Sequence, residues 1–302
     1  MLENVSFWKL TAAGNDFFCL DNSDGRFDDL LADPARSGQF ARTLCRRHTG
    51  IGADGLIFHQ RLDTTDEADI SARIFEADGS EVELCGNGTA CYVHWAFVMG
   101  HIPRDEVRIL TLAGVMRGSP VDDGYTRVCI SLPEQLRTDL QVPVGDQTLT
   151  CDFVVTGIPH VVTYVDDIAA ADVAGLGPAL RHHDLFQPRG ANANFVQVLG
   201  EGEIALRTWE FGVEGETLAC GTGSAAAAML TARRFDWKPD FTPCDQSVRV
   251  HTRGGETLRV FFTVNGRGEI DDLCLESPVH LLYRGDISKG LLAEALSADS
   301  GG

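Results

Sequence analysis

Apolar and polar positions alternate over most of the chain and mark short strands. Two runs are instead apolar at helical spacing. Phe7-Trp8-Lys9-Leu10 reads as a strand, breaks at Ala12-Ala13-Gly14-Asn15-Asp16 and resumes as Phe17-Phe18-Cys19-Leu20. A Gly-Asn-Asp break of this kind is a turn that can present polar side chains at a strand end. Phe40 and Leu44, with Ala41 and Cys45 beside them, predict a short helix within 35–46. A glycine-rich loop over 49–55 then feeds a strand at 56–59, and a second strand follows at 70–75. The run Ala90, Cys91, Val93, His94, Trp95, Phe97 is apolar on most sides and stops at Gly100. That pattern predicts a helix central to its half, with Cys91 and His94 as core residues. Strands are expected again at 107–112, 115–117 and 126–132.

The second half repeats this order. A strand over 153–162 breaks at Gly157, 169–182 is helix-prone, and the stretch from Gly190 to Asn194 leads into a strand at 195–198. Another strand at 204–209 precedes a strongly helical run at 225–233, and strands at 248–252, 257–264, 269–275 and 278–283 follow. Between the halves, 133–146 is polar and carries Pro133 and Pro143, which predicts the crossing point there. Matching order at similar spacing supports a duplication about a pseudo-two-fold axis. The expected fold class is α+β, with domains 1–133 plus 278–302 and 134–277. In such a molecule equivalent sites of the two halves meet.

Composition narrows the function without naming it. The 302 residues are 44% hydrophobic and 23% charged, an ordinary globular balance. A formal net charge of −19 argues against nucleic acid or an anionic membrane as partner. The nine cysteines form no C-x2-C pair and the nine histidines show no metal-ligand spacing, so no metal is expected. The start Met-Leu-Glu-Asn has no basic and apolar leader, and no apolar run approaches the roughly 18 residues of a membrane span. A reducing cytoplasm, with most cysteines free and structural, is the natural expectation.

The chemistry rests on two boxes. One is Glu81-Val-Glu-Leu-Cys85-Gly-Asn-Gly-Thr-Ala90; the other is Glu216-Thr-Leu-Ala-Cys220-Gly-Thr-Gly-Ser-Ala225. Each reads E-x-x-x-C-G-x-G-T/S-A and opens a predicted helix. A cysteine at a helix start lies near unpaired backbone N–H groups and the positive end of the helix dipole. Such a thiol is expected to lose its proton more easily than a free one. One thiol from each half, Cys85 and Cys220, predicts an acid/base pair for inverting a stereocentre: one removes a proton and the other returns one to the opposite face. Helix starts would stabilise the carbanion. No cofactor is demanded, and the glycine loops match neither nucleotide fingerprint.

The chain resembles the diaminopimelate epimerase family over nearly its whole length. The resemblance rests on Gly14-Asn15-Asp16-Phe17, Gly50-Ile-Gly-Ala-Asp-Gly55, Ala77-Asp-Gly-Ser-Glu-Val82, Cys85-Gly-Asn-Gly88, Gly157-x-Pro159-His160, Asn192-x-Asn194-Phe195 and Gly215-Glu-Thr-Leu-Ala-Cys-Gly-Thr-Gly223. It implies two similar domains, each an antiparallel barrel-like sheet around a central helix, and cofactor-independent epimerisation of an amino acid on the route to lysine and peptidoglycan precursors. It implies Cys85 and Cys220 as the acid/base pair and His160 and Glu210 as groups tuning the thiols. Asn15, Gly86, Asn87, Asn192, Glu210, Gly221 and Thr222 are implied substrate contacts, and the family tends towards homodimers. Three positions depart from the family pattern: Glu76 and Ile158 stand where asparagine is usual, and Phe211 where an arginine would grip the distal carboxylate. Two alternatives therefore stand beside diaminopimelate: an amino acid with a basic or imidazole side chain, and a non-catalytic amino acid-binding protein on this fold.

Overall fold

A computed structural model describes all residues except 1–3, 63–66, 83–85, 104, 113, 238–239, 242–245 and 298–302. The chain divides into two compact units, Met1–Val128 with Val279–Gly302, and Cys129–Pro278.

In the first unit, β1 (Ser6–Ala12) and β2 (Asn15–Asn22) form a hairpin in which Ala12 faces Asn15. Its two-residue loop, Ala13 (φ 50°) and Gly14 (φ 86°), has both dihedrals positive, as a tight hairpin turn requires. Helices α1 (Asp28–Leu31) and α2 (Pro34–Cys45) lead to β3 (Gly55–Gln60), which runs parallel to β2 and forms a hairpin with β4 (Ile70–Glu76). After α3 (Gly86–Val98) come β5 (Val107–Thr111), parallel to β4, its antiparallel partner β6 (Gly114–Pro120), and β7 (Tyr125–Cys129). Residues 279–286 return to pair with β1, Val279 opposite Ala12. Helix α3 packs on β1, β2, β3 and β6 and is buried along nearly its whole length, which is why its sequence lacks a polar face. The outer face of the sheet is covered by α2, through a cluster containing Phe18, Leu20, Phe27, Phe40, Phe58 and Phe75. With both faces buried, the middle of β2 is continuously apolar rather than alternating.

The second unit has the same wiring. Strands β8 (Glu134–Val144), β9 (Gln147–Thr156) and β10 (Ile158–Tyr164) form an antiparallel meander. The crossover through α4 (Val173–Arg181) puts β11 (Asn192–Gly200) parallel to β10, and β11 pairs antiparallel with β12 (Glu203–Glu210). A short β13 (Gly215–Thr217) precedes α5 (Gly221–Arg234). Then come β14 (Asp240–Phe241), β15 (Val248–Thr252) parallel to β12, its partner β16 (Thr257–Val264), and β17 (Ile270–Asp286). Helix α5 lies against β9, β10, β11, β12, β15 and β16, and its small residues Ala225–Ala228 let the sheet close around it. Hairpin, crossover, hairpin, glycine-started helix, crossover, hairpin is thus the order in each unit. The closing helix is α6 (Lys289–Leu296). No described helix is long and apolar enough to cross a membrane.

Three expectations need correction. The polar 133–146, expected only as the crossing point, forms a strand over most of its length: β8, whose residues are mostly exposed and pair with β9 in a bulged ribbon. The strands expected at 269–275 and 278–283 are one, β17; Pro278, which has no N–H, falls at the boundary between units, where pairing with β16 ends and pairing with β1 begins. Most of the described cysteines are free, as expected: Cys129 and Cys274 form a disulfide, and Cys19, Cys45, Cys91, Cys151 and Cys220 carry free thiols. Finally, the histidines do contribute to a cluster of ligating groups. Asp21 and His59 are register partners in the β2–β3 ladder, and His101, just beyond α3, joins them.

Candidate active site

Cys220 caps the start of α5, 4% exposed. Its neighbour Gly223 is sterically required: a Cβ there would lie 2.6 Å from Asn194 Oδ1 and 3.3 Å from the Cys220 sulfur. The thiol sits at the end of a hydrogen-bond chain whose direction can be worked out. Asn194 Nδ2 donates to the carbonyls of Val161 (3.0 Å) and Asn192 (3.2 Å), while its Oδ1 accepts from Thr208 Oγ1 (3.0 Å), so the amide orientation is fixed. Nδ2 also lies 3.2 Å from His160 Nδ1; it presents only hydrogens, so Nδ1 accepts, sharing one of the two amide protons with a carbonyl. His160 therefore carries its proton on Nε2 and donates to Thr222 Oγ1 at 3.0 Å. That leaves the Thr222 hydroxyl proton to point at Cys220 Sγ, 3.7 Å away. A second anchor, Thr156 Oγ1, donates to the Thr222 carbonyl at 3.2 Å.

Burial, complete for His160, pushes its imidazole down to about 3, so it is a neutral donor. The Cys220 thiol is pushed well above its ordinary range, first by burial and then by the nearby Glu210 carboxylate, against the smaller opposing pull of the Gly223 N–H and Thr222 hydroxyl. The expectation that a helix start lowers this pKa is overturned for Cys220. Taking the sulfur out of water outweighs the local donors, which favours the neutral thiol at Cys220. Asn192, fully buried, donates to the Pro159 carbonyl (3.2 Å) and accepts from the Phe211 N–H (2.7 Å). The first-turn N–H groups of Gly221 and Thr222 have no partner within α5.

In the first unit Cys85 lies outside the described residues, and Gly86 is the first residue of α3. Asn87 Nδ2 donates to Asn15 Oδ1 (2.7 Å), and Asn15 Nδ2 to Asp54 Oδ2 (3.2 Å). Asn87 Oδ1 is buried with no partner among the described residues. Behind them Asp16 pairs with the buried Lys9 (2.8 Å) and with Arg47 (2.9 Å), and Arg47 also reaches Asp54 (2.7 Å). Burial alone would raise the Asp16 carboxyl, but the bonds and charges of Lys9 and Arg47 outweigh it and hold it below its ordinary value.

The glutamate that opens each box has a structural partner. Arg73 on β4 grips Glu81 through Nε and Nη2, both at 2.6 Å, and Arg207 on β12 grips Glu216 at 2.6 and 2.8 Å. Each arginine also donates to backbone carbonyls, that of Leu31 at the end of α1 for Arg73 and those of Ile168 and Ala171 for Arg207. These bidentate pairs fix the approach to the two glycine-started helices. Sequence reading singled out neither arginine, nor Asn194 as a site residue. The alternation of Asn192 and Asn194, which puts both side chains on one strand face, was the available signal.

Glu76 ends β4, Ile158 begins β10 half-buried, and Phe211 is 43% exposed just past β12. The buried Arg181 guanidinium stacks over the Phe211 ring at 4.1 Å and pairs with Glu214 at 3.2 Å.

A repeated α+β unit, each copy folding its sheet around one glycine-started helix, defines the class. The fold is shared with the PhzF-family phenazine biosynthesis protein of Bacillus anthracis, at TM-score 0.70 and 15% identity over 95% of this chain and 100% of that one. It is also shared with a hydroxyproline epimerase of Agrobacterium vitis, at TM-score 0.66 and 15% identity over 95% and 93%. Within that class, the family model described as diaminopimelate epimerase matches residues 7–131 and 153–269. Diaminopimelate epimerases of Aquifex aeolicus and Chlorobaculum tepidum are 37% and 35% identical, over 95% and 92% of this chain and 99% and 100% of theirs. The chain belongs to the diaminopimelate epimerase family.

Proposed function

We propose that the chain interconverts LL- and meso-diaminopimelate by two-base proton transfer, with Cys85 and Cys220 as the bases. The observation that carries the reading is the placement of Cys220: a buried thiol at the start of α5, in surroundings that favour its protonated form, with the Thr222 hydroxyl 3.7 Å from its sulfur. A neutral thiol is the form that gives up a proton. In the forward step the Cys85 thiolate takes the α-proton from one face, and the Cys220 S–H proton goes to the opposite face. Cys85 is left neutral and Cys220 anionic. The Thr222 O–H and Gly223 N–H then stabilise the new thiolate, while the first-turn N–H groups of α5 and α3 hold the substrate carboxylate and the charge that spreads onto it. Running the steps backwards exchanges the two roles.

For the distal carboxylate, Arg181, whose guanidinium stacks on the Phe211 ring at 4.1 Å, takes the place of the missing arginine. A second reading, racemisation of an amino acid with a basic or imidazole side chain, is favoured by Glu76, Ile158 and Phe211 together. They remove two amides and a cation and add a carboxylate. One experiment separates the readings: α-proton exchange in deuterated water with LL-diaminopimelate, lysine, ornithine and histidine. Exchange confined to diaminopimelate supports the first reading, and exchange confined to the basic amino acids overturns it. Cys85→Ala and Cys220→Ala each abolish epimerisation under the two-base scheme, and full turnover by either variant refutes it.

A further inference from the structure

The second cluster of reactive side chains lies in the first unit and has no part in the chemistry above. We infer that Asp21, His59 and His101 form a binding site for a divalent transition-metal ion of the zinc type. Their ligand atoms all lie within 4.8 Å of one another. His101 Nε2 is 3.7 Å from Asp21 Oδ2, and the two imidazole rings are 4.4 Å apart, centre to centre. The arrangement is built into the fold: Asp21 and His59 are opposite one another in the β2–β3 ladder, and the His101 amide donates to Ala96 O at 2.8 Å, turning the chain back at the end of α3.

Hydrogen bonding shows which nitrogen of His59 is available. Tyr92 Oη is 2.7 Å from the Ser71 carbonyl, which can only accept, so the phenol proton is committed there. The same phenol oxygen is 2.7 Å from His59 Nδ1 and must accept from it. The proton of the neutral ring is thereby fixed on Nδ1, and Nε2 keeps its lone pair. An imidazole that presents one bare nitrogen while donating the other to an outer partner is the usual form of a metal-ligating histidine. Asp21 has a similar division: Oδ1 accepts from the Ser23 amide at 2.8 Å, and Oδ2 faces His101. Two imidazoles and a carboxylate suit zinc and its first-row neighbours better than magnesium or calcium. Ligand bonds of about 2.0–2.2 Å would bring the donor atoms to roughly 3.3 Å apart. The remaining closure falls to the His101 side chain, 26% exposed on a turn, while His59 is 6% exposed and held. The open side, at Asp21 and His101, leaves a fourth position for water.

The protein carries its own reporter, because the Trp95 ring lies 5.1 Å from the His101 ring and 5.3 Å from that of His59. The test titrates the full chain with Co²⁺ under thiol-free reducing conditions, following tryptophan fluorescence and Co²⁺ absorption. The site predicts one ion bound, quenched fluorescence, no thiolate-to-cobalt charge-transfer band, and recovery of fluorescence on displacement by Zn²⁺, which does not quench. His101→Ala and Asp21→Asn, both outside the proposed catalytic machinery, each weaken binding at least tenfold and leave metal-free epimerisation unchanged. Tyr92→Phe, which frees the His59 tautomer, weakens it by about 10- to 100-fold. Equal affinity in wild type and in both ligand variants overturns the site, as does an intense thiolate band or the absence of saturable binding.

Discussion

Thr222→Val isolates the relay, since it keeps the side-chain shape and removes only the hydroxyl. Two bonds disappear: the 3.0 Å bond that Thr222 Oγ1 accepts from His160 Nε2 and the 3.7 Å approach of its proton to Cys220 Sγ. The first leaves a buried N–H without an acceptor, at a cost of about 1–3 kcal/mol in stability. The second removes a donor from a sulfur that is anionic in the transition state and after it. Hydrogen bonds to charged groups contribute about 1.5–3 kcal/mol, which corresponds to a fall in turnover of roughly 10- to 150-fold. The sign for pH follows: loss of a donor destabilises the thiolate, so the already raised Cys220 pKa rises further. The rate of Cys220 alkylation by iodoacetamide, followed by peptide mass across pH, should shift its rising limb to higher pH. Thr222→Ser should restore both turnover and the limb. A folded Thr222→Val variant with wild-type turnover and an unshifted alkylation limb refutes the directed chain from Asn194 to the sulfur.

Two further perturbations test the scaffold. Arg207→Lys keeps the charge but cannot grip Glu216 with two parallel bonds; turnover should fall about 10- to 100-fold through misplacement of the α5 start, with the Cys220 alkylation limb unmoved, and a shifted limb would place Arg207 in the electrostatics instead. Asp16→Asn leaves Lys9, 3% exposed, without its carboxylate and should cost about 3 kcal/mol in urea unfolding at neutral pH. Because the folded Asp16 pKa lies below the unfolded value of about 3.9, its stabilisation is complete above that value and fades as pH falls through the folded one. The gap between wild type and variant should therefore narrow in acid, and a gap that stays constant down to pH 2 would refute the ion-pair account.

Much of this was legible along the chain because it is local. An apolar run marks α3 and an alanine-rich one α5, the turn at Gly14 needs positive φ, and a box repeated at equivalent places marks where each long helix begins. What escaped was set by distance in sequence or by competing terms. Asp21, His59 and His101 have no motif spacing and meet only through strand register and a helix turn. The Arg73–Glu81 and Arg207–Glu216 clamps depend on which strand lies beside the box. The Cys220 proton was misread because the helix start is visible in the sequence and the depth of burial is not. β8 escaped because a ribbon strand exposed along most of its length has no apolar face to display.

The route of β17 has a consequence for biogenesis. Residues 279–286 lie against β1, and α6 packs with α2 in the first unit's core. On the ribosome, the lobe translated first must therefore wait, with the β1 edge and its Phe7 and Leu10 uncovered, until residues 279–296 emerge. The lobe translated later has all its strands by residue 278 and can consolidate ahead of it. An unclosed strand edge invites pairing with a neighbouring nascent chain, so C-terminal truncation should injure the N-terminal lobe and appear as aggregation rather than as a smaller soluble product.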